Sequence, residues 1–262
     1  MRRGSLFFGL ALILFAGLFF LKGLGVIADV LPLLWPLAVI LFGFWLLIGG
    51  LLPGPGRGSA EMFSIDLQDA TEGEIEIDHG AGQVLVTGGA PEGKVMEATA
   101  GTVMDYKSHL SGSTLKVDVS AGPSGLPFLG PDGGAWQFRL TERIPLSLEV
   151  NAGAASMDFD LTDLQVRLFK LETGASSTRL KLPAHAGQTV VEIEGGAASY
   201  HITVPTGVAA RVSMEGGLSS LDIDERRFPR QAGGYYQSPD YDSAANRAEI
   251  RIEGGASSIT VI

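Results

Sequence analysis

The chain has 262 residues, 45% of them hydrophobic, no cysteine, and a net charge of −10. The missing cysteine excludes disulfides and thiolate chemistry. In the first 58 residues Arg2, Arg3, Lys22 and Arg57 stand against Asp29 alone, so the remainder is more acidic still, at a net of −13, and is a poor partner for nucleic acid or anionic lipid.

Two uncharged apolar runs open the chain, one from Leu6 to Leu21 and one from Val30 to Gly56. Each reaches about the 20 residues that cross a bilayer. Residues 1–52 are therefore predicted to form a two-helix transmembrane hairpin, with helices over about 5–22 and 30–52, and Trp35 beside Pro36 is predicted to anchor it at the interface. A cleaved signal peptide is the weaker reading, because no small-x-small site follows the first run and a second run comes at once. Arg2 and Arg3 flank the first span, Lys22 alone lies in the connection, and Arg57 follows the second. That distribution predicts a multi-pass protein of the cell membrane with both flanks, and so the rest of the chain, in the cytoplasm.

Residues 53–61 read as a linker, and 62–262 as a β-repeat domain. Its signature is a corner word: EGGAASYHITV from Glu194, EGGLSSLDID from Glu215, EGGASSITVI from Glu253. The second glycine position recurs at Gly80, Gly153, Gly174, Gly196, Gly217 and Gly255, with spacings of 21, 22 and 21 in the central block. A fixed period of this size marks stacked repeats. Apolar residues step by two on either side of each corner, and across it the step is three, from Ile193 to Gly196. A one-residue slip would turn the following side chains to the other face of a straight strand. A bend at glycine keeps them inward. Gly112 reads as a worn copy of the corner, and Pro145, Pro183 and Pro205 mark where strands stop. The fold expected is all-β, a β-solenoid or closely related stacked-strand domain with a repeat of about 21 residues, carrying inserted loops at 122–134 and 225–247. Since the last copy runs to Ile262, it is expected to form an open terminal rung able to pair with a second copy.

The combination of LLWPLAVILFGFWLLIGG with the strand repeats ending in AEIRIEGGASSITVI resembles the LiaF-like bacterial membrane proteins of the cell-wall-active antibiotic response, whose soluble part is the toast-rack domain. The resemblance implies a role in envelope-stress signalling, as a partner or inhibitor of a membrane sensor kinase.

Catalytic patterns are missing from the sequence. His79, His109, His185 and His201 lack ligand spacing and read as exposed or loop histidines. Asp158/Asp160 and Asp222/Asp224 would make a calcium or glycosidase site only if stacking brought the two pairs together. No G-x-S-x-G, P-loop or H-E-x-x-H is present. The expectation is a non-enzymatic protein with no cofactor and no metal. Leu126, Phe128 and Leu129 in the first insert are expected to dip into a membrane or to cap the core. Arg226, Arg227, Arg230, Tyr235, Tyr236 and Tyr241 in the second are the candidate partner-binding set, by residue type, and Ser238 among them is the expected solvent-facing labelling position. The function expected is a membrane-anchored regulatory or interaction protein that presents a rigid solenoid to a protein partner. The alternative is a structural or adhesive envelope protein that self-associates or binds envelope polymers.

Overall fold

The computed structural model describes residues 61–101, 104–121, 134–217 and 220–262, which belong to the unit Arg57–Ile262. The expected membrane hairpin with Trp35 and Pro36, and the loop residues Leu126, Phe128 and Leu129, lie outside these residues. Among the described residues no helix is long and apolar enough to cross a membrane. Every regular element is a strand. In chain order these are β1 (Glu61–Asp66), β2 (Glu72–Gly88), β3 (Lys94–Ala100), β4 (Met104–Ser111), β5 (Thr114–Ala121) and β6 (Ala135–Leu140). Then follow β7 (Leu146–Asp160), β8 (Val166–Lys181), β9 (Gln188–Thr203), β10 (Ala209–Gly216), β11 (Ser220–Ile223), β12 (Tyr236–Gln237) and β13 (Arg247–Val261).

The long strands bend once. In β7 the buried residues are Leu146, Leu148, Val150 and Ala152, then Ala155, Met157 and Phe159, with two exposed residues in succession at Gly153 and Ala154. In β9 the exposed pair is Gly196 and Ala197. The phase break is therefore real, but it falls two residues later than the sequence suggested, between Gly195 and Ala198.

Each bent strand is one rung, and β2, β7, β8, β9, β13 and β10 run parallel and in register. One core column reads Ile77, Val150, Leu171, Ile193, Ile252. The halves after the bend form a second wall, where Val86, Phe159, Leu180, Ile202 and Val261 line up. Phe159 of this wall meets Phe169 of the first edge to face, with ring centroids 5.0 Å apart. The core lies between the walls, and each fully buried aliphatic or aromatic side chain there contributes about 1.5–3 kcal/mol. No rung could bury its inner face alone.

At the near end, β5 and β6 together make one further rung beside β2, pairing with its first and second halves. In sequence, the 122–134 insert separates the two halves of that rung. Antiparallel strands close this end, β4 on β5 and then β3 and β1 on β6, and Phe63 of β1 stacks on Tyr106 of β4 at 4.2 Å. Gly112 is no corner. It sits with φ +64° in the two-residue turn joining β4 to β5, where a hairpin demands positive φ.

At the far end the expected open C-terminal rung is absent. β13 is paired on both sides, with β9 on one and with β10 and β11 on the other. Its backbone donors and acceptors are therefore taken up, and self-pairing through it has no free edge. The last rung in space is β10–β11. The 225–247 insert folds against it, with β12 antiparallel to Arg211 and Val212 of β10.

Candidate functional site

The corners stack into a column of glycines. A Cβ at Gly153 would lie 2.6 Å from the Gly80 carbonyl oxygen, at Gly174 2.8 Å from that of Gly153, at Gly196 2.7 Å from that of Gly174, and at Gly255 2.9 Å from that of Gly196. At Gly217, the last rung, the distance relaxes to 3.4 Å. None of the six has φ in the left-handed region. The requirement for glycine is close approach between rungs, and the expected need for special φ/ψ is not what sets it. The positions just before the bend, His79, Ala152, Thr173, Gly195 and Gly254, stay small after the first rung; a side chain at Gly195 would overlap the Tyr200 hydroxyl.

Two outward columns run beside this corner and differ in charge. Four residues before the glycine, the column reads Glu76, Glu149, Lys170, Glu192, Arg251, Ser213. From Glu149 to Arg251 its signs alternate, with Lys170 bridging Glu149 at 3.2 Å and Arg251 bridging Glu192 at 3.3 Å. Glu172 first, and Glu149 with it, hold the Lys170 ammonium well above its ordinary range. Two residues before the glycine, the column reads Asp78, Asn151, Glu172, Glu194, Glu253, Glu215. Asn151 donates to Asp78 at 3.0 Å, and Glu172 is bridged by Lys170 at 2.6 Å. Among the described residues no lysine or arginine pairs with Asp78, Glu194, Glu253 or Glu215. Parallel strands about 4.8 Å apart hold these like charges at one pitch. Each adjacent pair then costs up to about 1 kcal/mol in water-like surroundings, less with salt. Nearer the first rungs, Glu76 is pushed above the usual carboxylate range by burial and then by Asp78, Glu149, Asp118 and Glu74.

The acidic column and the glycines form the wall and floor of an open groove of about 940 Å³. It crosses six strands, from Ser120 and Ala121 of β5 to Glu253 and Gly254 of β13, and no basic residue lines it. Three lining residues carry buried polar atoms without partners: Asn151 at Oδ1, His79, which is 4% exposed, at both ring nitrogens, and Thr173, which is 9% exposed, at its hydroxyl. His79 packs edge-on against Trp136 at 4.6 Å, and burial lowers its pKa, so it stays neutral. This corrects the expectation of an exposed histidine. The column was present in the sequence as the Glu of each Glu-Gly-Gly word, where the glycines drew the attention.

The other candidate residues are dispersed or engaged. In the second insert Arg226 and Arg230 are exposed. Arg227 donates to the carbonyls of Val204 at 2.6 Å, Pro205 at 2.7 Å and Val208 at 3.2 Å. Tyr241 is buried with Arg211 over its ring at 4.4 Å, Tyr235 lies on the same guanidinium at 5.6 Å, and Tyr236 is in β12. Four of the six thus hold the insert to the stack. Ser238 is 4% exposed and exchanges hydrogen bonds with Ala210, so the expected labelling position is closed. His109, His185 and His201 are exposed. Asp158 and Asp222 lie on the β7 and β11 rungs with β8, β9 and β13 between them, and Asp160 is held below its ordinary range by Lys181 and Thr162. The acid pairs do not converge. Among the described residues no group of three or more histidines and carboxylates is placed to hold a metal ion.

A solved structure described as a cell adhesion protein from Clostridium sporogenes superimposes with a TM-score of 0.69 at 19% identity, over 78% of this chain and 98% of that one, a likeness of fold. An adhesin from Bacteroides fragilis aligns over 80% of this chain and 100% of its own at 8% identity, but its TM-score of 0.26 carries no argument. No curated protein matches the sequence. The profile of the family described as the N-terminal domain of toast_rack, DUF2154, matches residues 54–203, ending where β9 ends. With more than half of its length inside that match, including the rungs β2, β7, β8 and β9, the chain belongs to the toast-rack N-terminal domain family.

Proposed function

We propose that this chain is a membrane-anchored, non-enzymatic binding scaffold of the cell envelope, with the toast-rack stack as its ligand-presenting body. The observation that carries this reading is the groove: glycine corners along a column of carboxylates in which only Glu172 has a basic partner, held in register by parallel strands. Such a surface costs stability, and a purely structural stack would gain by neutralising it as the neighbouring column is neutralised. The adhesive form of the reading is supported by the description of the Clostridium sporogenes protein that shares the fold. The regulatory form, in which the body meets a sensor kinase inside the cell, is supported by the Lys and Arg around the two apolar runs.

Sidedness separates the two. Ser113, exposed in the β4–β5 turn, replaces Ser238 as the position for a single cysteine in this cysteine-free chain. Labelling of Ser113→Cys in intact cells by a membrane-impermeant maleimide supports the adhesive form. Labelling only after lysis supports the regulatory form and removes the adhesive one.

A further inference from the structure

Among the described residues β4 is the longest strand that is paired on one side only, with β5. Of its eight residues just Met104 is buried. Tyr106 is 48% exposed and Leu110 37%, although they share a face with Val119 and Leu115 of β5, which are buried. The turn beyond β4 fixes which backbone groups reach the free edge. Of Gly112 and Ser113 only the glycine has positive φ, the pattern of a type II′ turn, and the flanking pair Ser111–Thr114 then exchanges both hydrogen bonds. Bonded pairs alternate from there, so Asp105, Lys107 and His109 bond to β5. The N–H and C=O groups of Met104, Tyr106, Ser108 and Leu110 point to the free edge. β4 has no proline and no bulge, and its one edge-guarding lysine, Lys107, stands two residues from Asp105.

That spacing selects the occupant of the edge. When a second β4 is laid antiparallel with Tyr106 opposite Tyr106, each copy sets Asp105 against Lys107 of the other, twice over by symmetry. Among the described residues neither Asp105 nor Lys107 has an ion-pair partner within the chain. Moving the two-fold axis to Lys107 would oppose lysine to lysine, and moving it to Ser108 would oppose Lys107 to His109. We infer that two copies of this chain pair through β4, as a two-fold antiparallel ribbon centred on Tyr106. Met104 to Ser108 of the two copies form about six backbone hydrogen bonds. The two Tyr106 rings meet beside the axis, each already stacked on its own Phe63. One strand per copy buries less than the roughly 1,200 Å² of a standard interface, so the dimer is weak and concentration-dependent. The pairing is independent of the groove and of the sidedness of the domain.

The test is sedimentation of the full-length chain in neutral detergent over about a hundredfold range of concentration. The parent is expected to dimerise toward the upper end. D105K and K107D each turn both ion pairs into like-charge pairs and are expected to weaken the dimer roughly tenfold. D105K/K107D exchanges the charges and is expected to return the affinity to within about threefold of the parent. All three lie on an exposed strand and are expected to melt close to the parent, which separates lost pairing from lost folding. Cross-linking reads the register. In this cysteine-free chain Y106C lies on the axis, with Cα atoms about 5.5 Å apart and within disulfide range. Mild oxidation is expected to link it and to leave S108C unlinked, since its copies lie about 13 Å apart along the ribbon. A parent that stays monomeric at every concentration overturns the inference and leaves the edge to an extended segment of another protein. A dimer that the charge variants leave unchanged overturns it by placing the contact elsewhere. Linkage of S108C in preference to Y106C overturns it too, by showing a register that the charges do not select.

Discussion

The two ends of the stack are closed by different means. At the near end, β4 folds back on β5 through a two-residue turn, and β3 and β1 extend the other wall antiparallel from β6. One of these closures is a hairpin, β4 on β5, while the other, β3 and β1 on β6, pairs segments far apart in the chain, and Phe63 of β1 stacks on Tyr106 of β4. At the far end the closing rung is held by a strand from later in the chain, β13, and by an insert fastened through Arg227 and Arg211. A hairpin of neighbours in sequence, β4 with β5, can form more locally, whereas a rung held by a distant strand forms only with the whole domain. The β4–β5 hairpin should therefore be the locally formed part of the near end, and the far end should be cooperative.

The strongest way to break this contrast is to remove residues 247–262. Burial of Ile250, Ile252, Ile259 and Val261 is lost, and β10 and β11 lose their parallel neighbour. A loss of more than about 5 kcal/mol is expected. Hydrogen exchange should show β10 and β11 unprotected while β5 and β6 keep their protection. Retained protection in β10 would refute the cooperative far end. Next comes the glycine column, whose tightness differs along the stack. Gly153→Ala, aimed at the Gly80 carbonyl, should cost about 2–3 kcal/mol in urea unfolding. Gly217→Ala at the far end should cost well under half of that, and equal costs would mean that the spacing between rungs is not what demands glycine. Arg227→Ala should cost about 2 kcal/mol, because three carbonyls lose a charged donor. Its effect should map to the far end alone. The smallest effect is at the near end. Burial lowers the pKa of His79, so the unfolded chain takes up the proton first as pH falls. Stability from this residue is present above the ordinary histidine pKa of about 6.5 and declines as pH falls from there toward the lowered folded-state pKa. His79→Leu should flatten that part of the pH profile, and an unchanged profile would clear His79 of the role.

Much of the central stack was legible in the sequence because repetition makes one rung stand for the next. The 21- and 22-residue spacings of Gly153, Gly174 and Gly196 reappear as the register of β7, β8 and β9. What the repetition hid was order in space. Every Glu-Gly-Gly word fits every slot equally well, so nothing local to Glu253 says that β13 belongs between β9 and β10. The β5–β6 rung escaped notice for the opposite reason, since the 122–134 insert separates its halves in sequence and no corner word remains to read. Gly112 was misread because a hairpin glycine and a corner glycine look alike until pairing is known. Of the candidate site, the acid column was in plain view, but its meaning lay in the contrast with the alternating column beside it. That contrast exists only once the strands are stacked. Ser238 and Tyr241 read as exposed because polar insert sequence gives no sign of what it will cover.

The place of β13 has a consequence for how the chain finds this arrangement. During vectorial synthesis β10 leaves the ribosome before β13, while the outer edge of β9 is still vacant. β10 carries Val212 and Met214 in the same alternation as Ile250 and Ile252, so it can occupy that berth first, as a kinetic competitor one rung out of place. In the folded chain the turn from Thr203 to Ala209 sets β10 one rung away from β9, and its carbonyls at Val204, Pro205 and Val208 are the three that Arg227 grips. Held in that form, the turn keeps a berth reserved for a strand that has not yet been made.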